Sequence, residues 1–500
     1  MEHAENVVVS SNPWSVAAFI FYLTVIIGIG IFTTRFSSAG IGEYFLAGRK
    51  LKQFVVALSA VVSGRSSWLL LGVTGMAYTR GVSAVWAVVG YILVELFLFL
   101  FLAKRLRRFT ERMDNITLPD FFESRFHDHS GLLRIASVTI ILIFMISYIA
   151  AQFSGGGKAF YSSFGIPVSS GMVLTAAIVL IYTVLGGFLA VSLTDMIQAF
   201  FMLIALVVLP IIVIDNHGGY SVMLNSLRAL DISLIDPFSL SVGALIGYIG
   251  IGLGSPGNPH ILVRYMSIDD PRQLRWSALI GTVWNVVMAW GALYIGLIGR
   301  AVYSQSSELP GSDSENIFPF LAQTHLHPVL FGMVVAAIFA AIMSTADSQL
   351  LVAASGVVRD IYQKLIHKGR EISQQRLVWY SRIVVLLIVV IATGLALSGS
   401  QLIFWLVLFA WAGLGAALGP AIILALYWKR TTKWGIFAGF GVGTLTTIIW
   451  NQTPALKHII YELVPGFLFA TLAIIVVSLF TKAPPTACND LQAIGSKYKK

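Results

Sequence analysis

The feature that most constrains this chain is an almost unbroken succession of apolar runs. A helix of about 20 residues crosses the hydrocarbon core of a bilayer. Of the 500 residues, 57% are hydrophobic and 11% are charged, which is too little charge to cover a soluble protein of this length. The sequence therefore predicts an all-α integral membrane protein with about thirteen transmembrane helices. The predicted spans are 14–33, 52–78, 83–103, 134–158, 166–188, 191–214, 240–262, 275–303, 328–356, 379–398, 402–428, 433–450 and 459–481.

The basic residues alternate regularly between the connections that join these spans. Even-numbered connections contain little Lys or Arg, and the positive-inside rule places the basic ones in the cytoplasm. This pattern predicts a multi-pass protein of the cell membrane with its N-terminus outside and its C-terminus cytoplasmic. Because the net charge of +10 comes from short loops, we expect no nucleic-acid partner. The basic connections and tail contain Arg35, Arg49, Lys50, Lys104, Arg105, Arg107, Arg108, Arg112, Arg125, Arg264, Arg272, Arg359, Lys364, Lys368, Arg370, Arg376, Lys429, Arg430, Lys433, Lys497, Lys499 and Lys500.

The segments outside the predicted spans are too short to form a catalytic domain. We expect a single transmembrane domain over 1–481 and a flexible cytoplasmic tail over 482–500. Paired carboxylates, a histidine cluster and nucleophile–base spacing are all missing from the sequence, so we predict that the chain is not an enzyme and has no organic cofactor. The expected partners are the lipid bilayer and a small-molecule substrate, without an obligate protein partner.

Two predicted spans contain residues that break helices. The second reads ALSAVVSGRSSWLLLG (57–72), and the seventh reads GYIGIGLGSPGNPHILVRY (247–265). Unwound backbone at membrane depth persists only where it lines a cavity or contacts protein. Two such breaks, five helices apart, indicate a transporter with inverted repeats, over about 52–214 and 240–428, and binding sites at the breaks. The alternative is that both are kinks at helix-packing contacts.

Two adjacent hydroxyl residues, Ser344 and Thr345, lie within the apolar ninth span. Neutral oxygen ligands, including the carbonyl groups of an unwound helix, suit Na⁺ in this class of transporter. We therefore predict a sodium site where these hydroxyls and the Ala341 carbonyl meet the carbonyls of Val62 and Arg65. The alternative is that both hydroxyls satisfy carbonyl groups of their own helix.

Two charged residues lie near this predicted site. Asp195 stands at the cytoplasmic start of the sixth span, where it is predicted to lie on the exit path of the ion or to interact with the helix N-terminus. Arg65 lies in the middle of the second span, where a buried charge costs several kcal/mol and is a functional candidate. Its alternative roles are a structural ion pair or a side chain that reaches cytoplasmic water.

At these residues the chain resembles the solute:sodium symporter family, especially its sodium/proline symporters. The pattern YTxxGGFxAVxxTD, followed later by AAIMST, is specific to that family. The matching segments follow the family's order and cover nearly the whole predicted membrane domain. They are EYFLAGRKL (43–51), ALSAVVSGRSSWLLLG (57–72), TLPDFFESRF (117–126), YTVLGGFLAVSLTDMIQA (182–199), NPHILVRY (258–265), AAIMSTADSQLL (340–351) and WAGLGAALGP (411–420).

The resemblance implies a LeuT-type core of two five-helix inverted repeats and symport by alternating access, driven by the inward sodium gradient. It also implies one coupling Na⁺ at the site described above and a small organic substrate, most simply an amino acid such as proline, between the broken helices. The residues predicted to bind this substrate are Ser63, Gly64, Arg65, Ser66, Tyr148, Gln152, Ser255 and Asn258.

The chain departs from the sodium/proline symporters at the predicted site. Gly64 stands where those proteins have Asp, and Arg65 stands where they have Met. Ile251 and Ser255 align with a Trp and a Tyr associated with proline binding. These differences leave open a proton-coupled or sodium-independent transporter in which Arg65 pairs with the carboxylate of a substrate.

Repulsion between the Arg65 side chain and Na⁺ at about 5 Å would cost about 3 kcal/mol at an effective dielectric constant near 20. The direction of this side chain therefore decides whether sodium coupling is compatible with it. A third alternative is a transporter-like sensor that passes a signal to a cytoplasmic partner.

Overall fold

The computed structural model describes residues 12–367, 371–399 and 403–482. The predicted flexible tail lies outside this range, except for Lys482. Regular structure in the described residues is helical, apart from an isolated parallel bridge between Leu51 and Ile268. At this bridge the Leu51 N–H donates to the Ser267 carbonyl over 3.1 Å, and the Asp269 N–H donates to the Leu51 carbonyl over 2.9 Å.

Twenty α-helices account for most of the described residues. In chain order they are Pro13–Ser37 (α1), Ile41–Leu46 (α2), Gln53–Ser67 (α3), Thr74–Arg80 (α4), Val85–Phe97 (α5), Ala103–Arg112 (α6), Leu118–Phe126 (α7), Leu132–Phe164 (α8), Val168–Asn216 (α9), Tyr220–Leu230 (α10), Val242–Gly250 (α11), Pro259–Ser267 (α12), Leu274–Val302 (α13), Ile317–His325 (α14), Pro328–Ser355 (α15), Gln374–Ser398 (α16), Ile403–Tyr427 (α17), Lys433–Gln452 (α18), Pro454–Lys457 (α19) and Leu463–Phe480 (α20).

Shorter helical turns join several of these helices. Wide π-type turns continue the chain at Trp68–Val73, Leu98–Leu102 and Gly356–Ile366. Tight 3₁₀ turns occupy Ala47–Arg49, Gly81–Ala84, Ile232–Ile235, Ile251–Gly257, Pro271–Gln273, Ser306–Glu308, Pro310–Ser312 and Ser314–Asn316.

Nine helical segments in the described part of the chain are long and apolar enough to cross a membrane. Some predicted boundaries agree closely, since α13 runs over Leu274–Val302 and α18 over Lys433–Gln452. Other predicted spans are merged into one helix. The fifth and sixth both fall on α9, which continues for 49 residues, about 74 Å at 1.5 Å per residue. The total of thirteen transmembrane helices stays a prediction.

Gly187 divides α9 near the boundary between the predicted fifth and sixth spans. Its φ of 59° is left-handed, a conformation that glycine adopts without steric cost. A Cβ at this position would lie 2.9 Å from the Tyr44 carbonyl oxygen. The left-handed conformation and the close approach of α2 therefore both favour glycine at the bend.

Both predicted breaks are present. In the first, Ser66 leaves the helical conformation, with φ 49° and ψ −171°, at the end of α3. In the second, α11 gives way to the 3₁₀ turn Ile251–Gly257, and Asn258 is extended before α12. Pro259 explains this second break, since proline has no N–H and disfavours a helical residue before it.

The long helix α15 forms the centre of the bundle and is buried along most of its length. It packs against α1, α3, α8 and α9. Its sequence is apolar on all sides except for a few small hydroxyl and acidic residues, as expected for a helix surrounded by protein. This central position brings those polar residues next to the break in α3.

Three of the basic residues counted in the charge pattern are buried inside the protein. Arg107, Arg125 and Arg264 are helical and nearly fully buried, whereas the alternation of charges assigned them to cytoplasmic connections. Each of the three forms hydrogen bonds within the protein. A count of basic residues along the chain cannot distinguish a loop cation from one that a distant segment neutralises.

Candidate functional site

The break in α3 faces the hydroxyl pair of α15. The Thr345 hydroxyl donates to the Ser63 carbonyl over 2.9 Å. The Ser344 hydroxyl lies 3.2 Å from the Ala341 carbonyl oxygen and 3.5 Å from the Val62 carbonyl oxygen. The structure thus brings together hydroxyl and carbonyl oxygens of the predicted sodium ligands in a fully buried position.

The carbonyl of Arg65, another predicted sodium ligand, lies at the same break. It accepts a hydrogen bond from the Trp68 backbone N–H, which begins the second half of this span. The backbone therefore presents the carbonyl oxygens of Val62, Ser63 and Arg65 just before Ser66.

A buried ion pair adjoins this group. Arg264 of α12 donates to a carboxylate oxygen of Asp195 in α9 over 2.8 Å, and both side chains are fully buried. The guanidinium also donates to Ser59 over 2.7 Å and to Ser63. Arg264 therefore links α12, α9 and α3 next to the predicted sodium site, a role that its local sequence does not indicate.

Asp347, one turn after Ser344 on α15, is a second buried carboxylate near this ion pair. It accepts hydrogen bonds from the Tyr182 hydroxyl over 2.6 Å and from the Ser348 hydroxyl over 2.9 Å. Arg264 also donates to Ser348. One guanidinium thus serves a cluster that contains two carboxylates, which favours binding of a further positive charge there.

The side chain of Arg65 points away from the sodium group and lies between α5 and α13. Its Nε donates to the side-chain oxygen Oδ1 of Asn285 over 2.7 Å, and its Nη2 lies 3.4 Å from a carboxylate oxygen of Glu95. Its guanidinium carbon lies 3.6 Å from the centre of the Tyr91 ring. Arg65 therefore forms a buried ion pair, one of the alternatives that the sequence left open.

A small cavity lies beside the two breaks. Aromatic rings form much of its wall. The Tyr91 ring stacks on Trp411, with centroids 5.4 Å apart, and on Trp68, with centroids 6.2 Å apart. The cavity is lined by Gly64, Trp68, Tyr91, Tyr148, Ile251, Val407, Leu408 and Trp411.

The first break is capped by residues predicted to bind the substrate. The Gln152 side-chain oxygen accepts from the Ser67 N–H over 3.1 Å. The Ser66 hydroxyl oxygen accepts from the Trp68 N–H over 3.1 Å and lies 3.4 Å from the Tyr148 hydroxyl. α8 therefore supplies two polar side chains to the unwound segment of α3.

The second break is closed by Asn258, whose side-chain amide donates to the Gly254 carbonyl over 2.8 Å. Ser255 lies in the same turn and is fully buried. Of the predicted substrate residues, Gly64 and Tyr148 line the cavity. The Ser63 hydroxyl instead contacts the Arg264–Asp195 pair, and the Arg65 side chain points to Glu95.

Several buried polar atoms around this region form no hydrogen bond within the described part of the chain. They are the Gln152 amide nitrogen, the Asn258 amide oxygen, the Ser255 hydroxyl and both ring nitrogens of His260. Buried polar atoms are nearly always paired, so an unpaired group of them indicates a ligand or water. The side-chain chemistry suits a solute that both donates and accepts hydrogen bonds.

Tyr91, His260 and Trp411 belong to this region but were missed in the sequence. The His260 ring packs edge-on against Tyr148 at 6.1 Å and Trp411 at 6.5 Å. In the sequence alone, a single aromatic residue that lines a binding site in an apolar span cannot be distinguished from one that only packs against other helices. The one available signal was Gly64, since a glycine at the break leaves space that another segment must fill.

Ion pairs close the bundle on both sides of the cavity. At the end predicted to face outside, Lys158 of α8 contacts Asp313 at 2.8 Å and Glu315 at 2.7 Å. At the opposite end, Arg134 contacts Asp120 at 2.8 Å and also Asp360. The cavity is therefore enclosed between two charged layers.

The sequence of this chain is similar to those of known transporters. The family model described as "Sodium:solute symporter family" matches residues 44–443. The "Osmoregulated proline transporter OpuE" of Bacillus subtilis is 41% identical over 490 residues, 96% of this chain and 99% of that protein. The "Sodium/proline symporter" of Escherichia coli is 38% identical over 482 residues, 95% of each protein.

Structural comparison gives the same fold. A Na⁺-coupled sialic acid symporter in a substrate-bound outward-open state has a TM-score of 0.80 at 18% identity, covering 95% of this chain and 99% of its own. A nucleobase-cation-symport-1 family transporter has a TM-score of 0.55 at 14% identity, covering 90% of this chain and 98% of its own. The prediction of an all-α, LeuT-type membrane fold is confirmed, while the repeat boundaries stay predictions.

Proposed function

This chain belongs to the sodium:solute symporter family, and we propose that it is a symporter that couples the entry of proline to that of Na⁺. The observation that carries the proposal is the meeting of the Ser344 and Thr345 hydroxyls with carbonyl groups of the broken helix α3. The related proline transporters support proline as the solute. Because these relatives are transporters, they also support the prediction that this chain is not an enzyme.

Sodium binding at this position would join α15 to α3. The Ser344 and Thr345 hydroxyls would turn their protons away and offer lone pairs to the ion, together with the carbonyls of Val62, Ala341 and Arg65. Because the same unwound segment of α3 borders the cavity, an ion that orders this segment also completes the substrate site. Coupling then follows from the shared segment, since each ligand favours the conformation that the other binds.

The cavity offers separate surfaces for the apolar and charged parts of proline. The rings of Trp68, Tyr91 and Trp411 supply faces for the pyrrolidine ring and its cationic nitrogen. The unpaired amide of Gln152 supplies a donor for the carboxylate. The positive end of half-helix α12, which starts at Pro259, favours the carboxylate as well.

The arrangement of Arg65 does not favour the alternative of a sodium-independent carboxylate transporter. Its charge is paired with Glu95 and hydrogen-bonded to Asn285, and the ring of Tyr91 covers the guanidinium. A side chain placed behind Tyr91 leaves the substrate carboxylate to other donors. It also leaves the Arg65 carbonyl available to a cation.

Uptake of radiolabelled proline into proteoliposomes tests the proposal. We expect uptake to depend on an inward Na⁺ gradient. Loss of one ligand should raise the half-saturating Na⁺ concentration about tenfold or more in Ser344→Ala and Thr345→Ala. Thr24→Ala is the matched control, because this exposed hydroxyl bonds only to its own helix. Equal uptake with and without the sodium gradient would contradict the proposal.

A further inference from the structure

Tyr91 of α5 occupies the space beside the first break that a side chain at position 64 would need. A Cβ added to Gly64 would lie 2.0 Å from the Tyr91 hydroxyl oxygen, 3.3 Å from its ring carbon Cζ and 3.3 Å from Ile261. The collision thus arises almost wholly from the hydroxyl. Tyr91 can occupy this position only because residue 64 is a glycine.

The Tyr91 ring is held from behind by a buried group of charges. The Arg65 guanidinium lies 3.6 Å from the ring centre. Arg65 in turn bonds to Asn285 and pairs with Glu95, and the Asn285 amide also donates to Glu95. These three side chains are at most 2% exposed, so the cation–π contact is shielded from water and strengthened.

On its other side, Tyr91 reaches the cavity and the second break. It lines the cavity together with Gly64 of the first break and Ile251 of the second, and within the described part of the chain its hydroxyl forms no hydrogen bond. Gly64 and Ser255 are small, so the broken helices leave this space to α5. One side chain therefore borders both unwound segments.

We propose that Tyr91 is a specificity-determining residue that contacts the solute through its ring and hydroxyl, and that Arg65 is the positioning residue that fixes this ring. The inference rests on the proposed function, since it concerns the same cavity. The hydroxyl donates to the carboxylate of a small cyclic amino acid, and the ring limits the size of the solute that fits. Arg65 acts only through Tyr91 and does not touch the solute.

A double-mutant cycle between positions 64 and 91 tests the contact. We expect Tyr91→Phe to raise the KM for proline about fivefold through the lost hydrogen bond. Gly64→Ala should raise it about thirtyfold by displacing the Tyr91 hydroxyl into the cavity. In the double variant the colliding oxygen is gone, so the KM should return to that of Tyr91→Phe alone.

Gly28→Ala is the matched control, because nothing lies within 4 Å of its added Cβ, and its KM should equal that of the wild type. A double variant as poor as Gly64→Ala would overturn the inference while sodium-driven proline uptake by the wild type still upheld the proposed function. A wild type without that uptake would overturn both.

The positioning role of Arg65 is tested with its charge partner removed. Arg65→Met combined with Glu95→Gln keeps the interior neutral and leaves the Arg65 backbone carbonyl in place. We expect the KM for proline to rise about tenfold while the half-saturating Na⁺ concentration and the amount of folded protein stay unchanged. A purely structural role would instead lower the amount of folded protein with an unchanged KM, and that result would overturn the assignment.

Discussion

At the scale of single residues, the centre of this protein is organised by buried arginines. Arg264 and Arg65 lie on opposite sides of the first break, and each is neutralised by a carboxylate from another helix. Breaking a buried pair by removing one partner is more costly than replacing both, because an unpaired charge remains in a medium of low dielectric constant. The two arginines therefore fix the positions of the broken helices.

The ion pair of Arg264 with Asp195 should be essential for a stable protein. Arg264→Met leaves Asp195 buried and unpaired, and we expect it to lower stability by about 3–5 kcal/mol, measured as a lower thermal transition in detergent. Asp195→Asn added to this variant should restore part of the stability but not sodium-driven uptake. Arg272→Met, which removes an exposed pair with Asp270, is the control and should change stability by less than about 1 kcal/mol.

At the scale of elements, the breaks were predictable and their surroundings were not. Polar and helix-breaking residues stand out within the apolar runs, at 63–67 and at 251–259. The backbone leaves the helix at these places, at Ser66 and at Ile251–Asn258. The partners of Arg264 and Gly64 lie 69 and 27 positions away in sequence (264 − 195 and 91 − 64). Only the packing of helices brings them together, and no local pattern encodes it.

The second break should depend on Gly254 because α17 approaches it closely. A Cβ at this position would lie 1.9 Å from the indole nitrogen of Trp411, which donates to the Ile251 carbonyl over 2.8 Å. We expect Gly254→Ala to displace Trp411, lower stability by about 1–3 kcal/mol and abolish proline uptake. Gly441→Ala, where nothing lies within 4 Å of the added Cβ, should leave both unchanged; a similar loss there would refute this explanation.

At the scale of the whole molecule, the cavity lies between two layers of ion pairs. Lys158 ties α8 to the loop residues Asp313 and Glu315, and Glu315 also accepts a hydrogen bond from the first N–H of α17 over 3.3 Å. Arg134 ties α8 to α7 and to the π-type turn Gly356–Ile366, which follows α15. Transport requires the two layers to open in turn, and the charge alternation predicts that the Lys158 layer faces outside.

Removing Lys158 should open the outer layer. In a Cys488→Ser background, a cysteine introduced at cavity residue Val407 reports access from outside through its reaction with a membrane-impermeant maleimide. We expect Lys158→Met to increase this reaction rate about fivefold. Lys457→Met, which removes a cation on the same predicted side but outside this layer, should leave the rate unchanged. An unchanged rate in Lys158→Met would exclude the gating role.

The bridge between Leu51 and Ile268 connects the two broken helices at one end. The Leu51 N–H donates to the Ser267 carbonyl and the Asp269 N–H donates to the Leu51 carbonyl. These backbone hydrogen bonds connect the start of α3 to the end of α12. The predicted sodium site adjoins α3, and the cavity adjoins the 3₁₀ turn that precedes α12. A movement of α3 on sodium binding would therefore reach α12 directly through the backbone.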